Sequence, residues 1–446
     1  MPNLKDLDRK FYLPLLVSVL CYYLLGYEVE RTDSTYLITT YLIAFGAYFY
    51  ILYQKPQHSQ IQMLVIVAVL FRIVLIASFP ALSDDIYRFV WDGRLINANI
   101  HPFAELPTYY LSSNHAVDGL NLELFNNLNS PEYFTIYPPL AQFVFWLATA
   151  FTDSIYGSVV IIRILILLAE IGTLFIGLRL LHRYLLPQRN ILIYALNPLV
   201  ILELTGNLHF EAFMIFFILL SVYCLQHNAI TKSAFFMAAG IASKLLPLML
   251  IPLFLRRLKT KSLVRWILLT SLFTALFFIP LLNSELIHGM SKSIGLYFQK
   301  FEFNASVYYL IRKLGYWVVG YNIIGSVGKV LPFIVIIFIA FLSLKRLGKA
   351  NVFEMMMWVL TGYFLLSTTV HPWYITTIIA LSIFTNYIYV IFWSSLIFLT
   401  YLGYHKTGFN ENLFVVSLEY VAVFIILGHE IFTNVKNKNS KIAGLI

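Results

Sequence analysis

Residues 61–94 read IQMLVIVAVLFRIVLIASFPALSDDIYRFVWDGR and contain the feature that decides the fold. An apolar run that ends at Pro80 is long enough to cross a bilayer, which takes about 20 residues. It leads directly into residues 83–94, which hold three carboxylates and two arginines. Because charge near a membrane is expensive and usually functional, the exit of this helix is the first place to look for chemistry.

The composition is that of a polytopic membrane protein. Of the 446 residues, 60% are hydrophobic and only 12% are charged, whereas a soluble domain has about 25% charged residues. The net charge of +9 comes largely from short loops between apolar runs, as the positive-inside rule expects, so it does not indicate nucleic-acid binding. Cys21 and Cys224 lie in apolar runs and indicate neither a disulfide nor a metal site. We predict one all-α membrane domain over residues 1–446, with about 13–14 transmembrane helices.

Basic clusters set the expected orientation. If Arg9 and Lys10 are cytoplasmic, residues 81–155 form an outer segment and the basic cluster 179–189 returns to the cytoplasm. The apolar stretch 140–151 then has both ends outside, which predicts an interfacial or re-entrant helix. Further basic segments fall on the cytoplasmic side, namely 256–261, 345–349 and 436–441.

Polar motifs from separate spans share the outer side under this topology. They are residues 83–94, 101–103, 137–140, 203–211, 244 and 369–374. Their common side is the main reason to predict an active site there.

Asp84 and Asp85 are candidates for a catalytic base. Ser83 is a good N-cap residue, so both acids would lie in the first turn of a helix, where they could also do no more than favour the helix dipole. Ionised carboxylates beside a cation suit general-base catalysis. Asp84 is favoured because Arg88 lies on its face one turn later.

Arg88, Arg94, Lys244 and His371 are candidates for binding an anionic group. Guanidinium matches the geometry of phosphate, although both arginines could instead pair with the nearby aspartates. Lys244 is a lone cation among short apolar runs, and the proline three residues later favours a cavity over snorkelling to lipid headgroups.

Further polar and aromatic side chains are candidates for lining the same site. They are Trp91, Asp92, His101, Tyr137, His209, Glu211, Trp373 and Tyr374. His209 and Glu211 could also be ordinary interfacial residues, and residues 371–374 could belong to an aromatic belt. No H-E-x-x-H or clustered Cys/His spacing is present, so no metal site is predicted. Whether a divalent cation assists is left open by the sequence.

Together these motifs resemble the GT-C superfamily of polyprenyl-phosphate-sugar-dependent glycosyltransferases, and most resemble its bacterial α-mannosyltransferases. The similar segments follow the chain in the superfamily's order: 85–94 (D-x-Y-R-Y-x-W-D-G-R), 101–103 (N-P-Y), 137–140 (Y-P-P-L), 244–247 (K-x-x-P) and 371–374 (H-P-W-Y). Two departures are His101, where an asparagine is common, and Glu211, where relatives often have an aspartate.

The resemblance implies a GT-C-like helix bundle that moves a sugar, with mannose favoured, from a polyprenyl-phosphate donor to an acceptor hydroxyl on a glycan or glycolipid. It implies an Asp general base, inversion at the anomeric carbon, cations that stabilise the leaving phosphate, and no required cofactor. It also implies a multi-pass protein of the bacterial inner membrane, in contact with the lipid bilayer, whose active site faces outward.

Two other classes of protein remain as alternatives. A secondary transporter or lipid-linked-sugar flippase is the first, but transporters usually show paired repeats with midplane breaks, and the sequence has no such pairing. A structural scaffold is the second, and the charged segment together with Lys244 argues against it.

Overall fold

The computed structural model describes residues 7–344 and 351–443, which are mostly helical. The predicted cytoplasmic segment 345–349 therefore lies outside the described residues. The first helices are α1 (Tyr12–Tyr27), α2 (Ser34–Tyr53), α3 (His58–Val74), α4 (Asp85–Asn97), α5 (Leu122–Asn126), α6 (Pro139–Ala150) and α7 (Ile155–Arg183). The middle of the chain forms α8 (Ile191–Ala195), α9 (Pro198–Val200), a π-helix (Ile201–Gly206), α10 (Glu211–Gln226), α11 (Ile230–Ser243), α12 (Thr260–Phe278) and α13 (Ser284–Lys300).

The remaining elements complete the bundle. They are α14 (Val307–Val319), α15 (Ile324–Leu344), α16 (Val352–Leu366), α17 (Ile375–Ser382), α18 (Tyr389–Leu396), the short antiparallel strands β1 (Tyr404–His405) and β2 (Gly408–Phe409), and α19 (Leu413–Ala443). Connecting 3₁₀ helices are Arg9–Phe11, Pro107–Leu111, Ser113–His115, Gln188–Asn190, Leu246–Phe254, Ile279–Leu281, Pro372–Tyr374 and Ile397–Gly403.

The predicted all-α polytopic class is confirmed, with fewer long helices than expected. Among the described residues, six helices are long and apolar enough to cross a membrane, or seven if the bent pair Pro198–Gly206 and Glu211–Gln226 is one span. Several apolar runs fold instead as shorter helices, which are His58–Val74, Pro139–Ala150, Ile230–Ser243, Val352–Leu366 and Tyr389–Gly403. The count of about 13–14 assumed that each apolar run forms one continuous span, and proline-containing segments such as Leu246–Phe254 do not.

The outer segment is held by close packing between α4 and α6. A Cβ at Gly93 would lie 2.4 Å from the carbonyl oxygen of Phe145, so glycine lets the two backbones approach. Phe89 stacks on Phe145 with a centroid distance of 4.4 Å. Asn97 Nδ2 donates to Thr149 Oγ1 at 2.8 Å. These contacts fix which face of α4 points into the protein.

The chain bends sharply between the π-helix and α10. The two parts meet at 111°, and Leu208 has a φ of +65°, which a non-glycine residue rarely adopts. Asn207 Nδ2 donates to Glu203 Oε2 at 3.3 Å and stabilises the turn. The bend places His209 and Glu211 at the junction of the two helices, where both side chains are buried.

Helix α7 runs between the two ends of the bundle. Near its start, the Tyr156 hydroxyl donates to the carbonyl of Ala77, close to the acidic segment, at 2.9 Å. At its end, Arg183 donates to the carbonyl of Gln226 at 3.5 Å. The basic cluster 179–189 therefore lies at the end opposite the acidic segment.

Candidate active site

The two adjacent acids have different partners. Asp84 immediately precedes α4, and its Oδ2 accepts a hydrogen bond from Arg31 Nη2 at 2.9 Å. Asp85 is the first residue of α4, and its Oδ1 accepts from Asn129 Nδ2 at 2.7 Å. Its other oxygen lies 3.9 Å from His209 Nδ1. Asp85 therefore faces the bend, whereas Asp84 faces the loop that joins α1 to α2.

Arg31 is a charged residue of this site that the sequence reasoning missed. Its guanidinium lies 4.5 Å from the ring centroid of Tyr404, so the cation contacts both a carboxylate and an aromatic face. A signal was available, because the loop 28–33 reads EVERTD and falls on the predicted outer side, where the positive-inside rule does not expect arginine.

Arg88 does not contact Asp84, so the reason for favouring Asp84 was wrong. Its Nε donates to Asp92 Oδ1 at 3.0 Å, and its Nη1 donates to the carbonyl of Tyr133 at 3.0 Å. Asp92 Oδ2 accepts from Gln142 Nε2 at 2.9 Å. Burial raises the pKa of Asp92, and Arg88 partly offsets that rise. Pairing one turn apart on α4 directs both Arg88 and Asp92 into the packing between α4 and α6.

Trp91 and Arg94 also lie away from Asp85. Trp91 is buried against the rings of Tyr110 and Phe125. Arg94 donates to the carbonyl of Gly119 at 2.5 Å and to a second loop carbonyl. Both residues hold the loops of the outer segment in place.

His101 connects the outer segment to α13. Its Nε2 lies 3.1 Å from the carbonyl oxygen of Leu281, and its Nδ1 lies 3.2 Å from Glu285 Oε2. Glu285 is in the first turn of α13. The structure therefore does not bring His101 to the acidic pair.

Tyr137 lies beside Asp85. Its ring packs edge-on against Phe89 and Phe145, with centroid distances of 5.0 and 5.2 Å. Burial and the negative charge of the nearby Asp85 carboxylate raise the pKa of Tyr137 well above its ordinary value. The phenol therefore stays protonated beside this carboxylate.

Three rings connect Asp85 to the last predicted motif. The His209 and Trp373 rings stack with a centroid distance of 3.8 Å, and Trp373 stacks on His371 at 4.4 Å. His209 is 3% exposed, and its Nε2 lies 3.3 Å from Glu203 Oε2. Residues far apart in the chain are thus in direct contact.

Lys244 is positioned by a carboxylate and an aromatic ring. It directly follows α11, and its ammonium forms an ion pair with Glu211, the first residue of α10. The ammonium also lies 4.7 Å from the ring centroid of Tyr374. The Lys244 side chain is 32% exposed while that of Glu211 is 2% exposed, so the cation is reachable from outside.

Glu203 is a buried carboxylate that contacts His209. Its Oε1 accepts from the Tyr401 hydroxyl at 2.7 Å, and the carboxylate is fully buried. The sequence placed this residue in a polar motif but assigned it no role.

The structure thus gathers most of the predicted residues into one group, called the outer-end site below after the side that the sequence predicts for it. It comprises Arg31, Asp84, Asp85, Tyr137, Glu203, His209, Glu211, Lys244, His371, Trp373 and Tyr374. Within the described ranges, no group of three or more His, Cys, Asp or Glu side chains could hold a metal ion.

An all-α membrane bundle with carboxylates, a reachable lysine and stacked aromatic rings at one end has the features of a membrane-embedded transferase. The comparison with known families is more specific. The model of the alpha-(1->6)-mannopyranosyltransferase N-terminal domain matches residues 16–258, more than half of the chain. The chain belongs to this family, so the resemblance to GT-C mannosyltransferases is confirmed. Searches of curated proteins and of solved structures found no significant match.

Proposed function

We propose that this mannosyltransferase transfers mannose from a polyprenyl-phosphate donor to the 6-hydroxyl of a glycan or glycolipid acceptor on the non-cytoplasmic side of the membrane. The family supports the sugar and suggests the linkage. The single observation that carries the proposal is that a half-buried carboxylate, Asp85, and a reachable ammonium, Lys244, belong to one contact group at one end of the bundle.

Asp85 is our candidate for the general base. It is 18% exposed, its Oδ1 accepts a hydrogen bond from Asn129, and its Oδ2 is directed toward His209. Asp84 is less suited because Arg31 already occupies its Oδ2. A base must come within hydrogen-bond reach of the acceptor hydroxyl, and the Asp85 oxygen that lies 3.9 Å from His209 Nδ1 is too far away to be hydrogen-bonded to that ring.

Lys244 and His371 are our candidates for binding the donor phosphate. An ammonium is a natural phosphate ligand, and Tyr374 holds this one in place. Arg31 is a further cation at the same end and is 24% exposed. A preorganised positive group stabilises the charge that develops on the leaving phosphate.

The proposed step is a single displacement. The acceptor oxygen forms a bond to the anomeric carbon as the bond from that carbon to the phosphate oxygen breaks. Asp85 takes the acceptor proton, and polyprenyl phosphate leaves with the electron pair near Lys244. Inversion converts a β-linked donor into an α-mannoside, and no acid is needed because phosphate is a good leaving group.

The test is a transfer assay with purified protein in detergent. Synthetic polyprenyl-phosphomannose and a short mannoside acceptor should give a product that is heavier by one hexose, with an α-(1→6) linkage. A lipid-linked-sugar flippase is the second candidate, favoured by the bend between the π-helix and α10, since broken helices form transporter sites. Counterflow of the donor across vesicles without any transfer product would support the flippase and overturn the proposed function.

A further inference from the structure

Arg163 is a fully buried arginine within the membrane helix α7. It donates hydrogen bonds to the backbone carbonyls of Thr205 at 2.8 Å, Gly206 at 2.9 Å and Ile76 at 2.9 Å, and also to that of Ser78. A charge inside a membrane protein is costly, so its position calls for a functional explanation. Among the described residues, no carboxylate lies within ion-pair distance of it.

The four carbonyls belong to two segments that lead into the outer-end site. The segment 76–78 runs on to Asp85, and the segment 205–206 runs on to His209. The two segments are also joined directly, because Leu82 N donates to Asn207 Oδ1 at 3.1 Å. Arg163 therefore lies directly behind the two chain segments that set the distance between Asp85 and His209.

We propose that Arg163 is a positioning residue that fixes the spacing of Asp85 and His209 by holding both chain segments against α7. The expected effect on catalysis rests on the proposed function. The claim that Arg163 fixes the spacing of the two segments does not depend on that function. The carbonyls of Thr205 and Gly206 lie at the end of the π-helix, where helix ends leave carbonyls without intrahelical partners, and those of Ile76 and Ser78 lie just after α3. The negative end of a helix dipole favours a cation there.

Arginine suits this task better than lysine. Its planar guanidinium has five donors in a fixed fork, so it can bond to both segments at once. Lysine has three donors on one nitrogen and a shorter reach. An Arg163→Lys variant keeps the charge but cannot bond to the same four carbonyls.

Arg72 provides a matched control. It is equally buried, and its Nε donates to Glu170 Oε2 at 2.8 Å. Its other partners are the carbonyls of Ala68 and Ala195, which lie outside the segments 76–78 and 205–206. Arg72→Lys therefore makes the same chemical change without touching the segments that carry Asp85 and His209.

The experiment compares Arg163→Lys with Arg72→Lys in kcat, donor KM, Tm and amide hydrogen exchange. Misplacement of a catalytic group by about 1 Å costs about 10²-fold in rate. We expect a loss of that order in kcat for Arg163→Lys, with the donor KM little changed. Exchange in residues 81–86 and 207–210 should rise in this variant. Arg72→Lys should keep its turnover, and exchange in these segments should be unchanged.

Three outcomes would overturn the proposal. They are near-normal kcat in Arg163→Lys, equal loss of kcat in both lysine variants, and unchanged exchange in the two segments. If Arg163→Lys does not fold, Asn207→Ala removes the bond to Leu82 and should raise exchange in the same segments. If the wild-type protein transfers no mannose, the proposed function fails, while the exchange comparison still tests the positioning role.

Discussion

Asp84 and Asp85 are neighbours in sequence with different surroundings, and this difference can be tested. Asp85→Asn keeps the shape of the side chain but removes the base, so we expect kcat to fall by about 10² to 10⁴. Asp84→Asn weakens an ion pair with Arg31 that is partly exposed, so we expect a smaller loss. Turnover and Tm of both variants give the measurement.

Two results would contradict this assignment. A more severe loss in Asp84→Asn would make Asp84 the base and give Arg31 the task of keeping it ionised. Near-normal turnover in both variants would leave only the helix-dipole role, which predicts a stability change of about 0.3–1 kcal/mol.

Substitutions of Lys244 and of Glu211 should have opposite effects on donor binding. Lys244→Met removes the reachable ammonium, so the donor KM should rise and kcat should fall. Glu211→Gln removes the carboxylate that forms an ion pair with that ammonium, so donor affinity should be kept or improved. Donor binding can be measured by titration of each purified variant. Unchanged donor affinity in Lys244→Met would leave Lys244 as a residue that only stabilises the start of α10.

At the scale of elements, the close contact between α4 and α6 depends on Gly93, which has no side chain. Gly93→Ala would push a methyl group against the backbone of Phe145, and overpacking of this kind costs about 1–3 kcal/mol. We expect a lower Tm and lower turnover, because α4 carries Asp85. The readout is Tm in detergent together with the transfer assay.

Gly46→Ala in α2 is the matched control for Gly93→Ala. No atom lies within 4 Å of a Cβ added there, and alanine favours a helix over glycine by about 0.5–1 kcal/mol. Gly46→Ala should therefore keep or slightly raise Tm. An equal loss of Tm in both variants would mean that the close approach of α4 and α6 is not what constrains Gly93.

The breaks between elements were the hardest feature to predict. Residues 190–205 and 210–226 have the apolar composition of two spans, yet the structure has a π-helix and a 111° bend at this place. Composition reports how apolar a segment is, whereas the bend depends on contacts from Arg163 and Asn207 to distant backbone groups.

At the scale of the whole molecule, the topology is a separate prediction. Ser113 is exposed in the outer segment, and both native cysteines are buried. Ser113→Cys should therefore react with a membrane-impermeant maleimide in intact cells. Lys261→Cys, exposed in the first turn of α12, should react only after permeabilisation. The reverse pattern would place the outer-end site in the cytoplasm.

The grouping of the site was predictable from sequence, whereas several partners were not. His209, Lys244 and Trp373 were expected on one side because a helix bundle brings alternate loops to the same end. Arg163 was missed because its partners are backbone carbonyls, which leave no sequence pattern. Arg31 could have been noticed from its place in the loop 28–33, but its partner Asp84 lies far along the chain. For Arg88 the structure has the alternative that the sequence left open, in which its guanidinium pairs with an aspartate on the same helix, Asp92.

The contacts of Arg31 also bear on how the protein is made. Its guanidinium lies between an acid near the start of the chain, Asp84, and a ring near its end, Tyr404. At about 5–20 residues per second, a ribosome takes on the order of tens of seconds to proceed from Arg31 to Tyr404. During this interval the part of the site that comes from later helices is still missing. Under the proposed function, a chain that ends before Tyr404 should therefore show no sugar transfer.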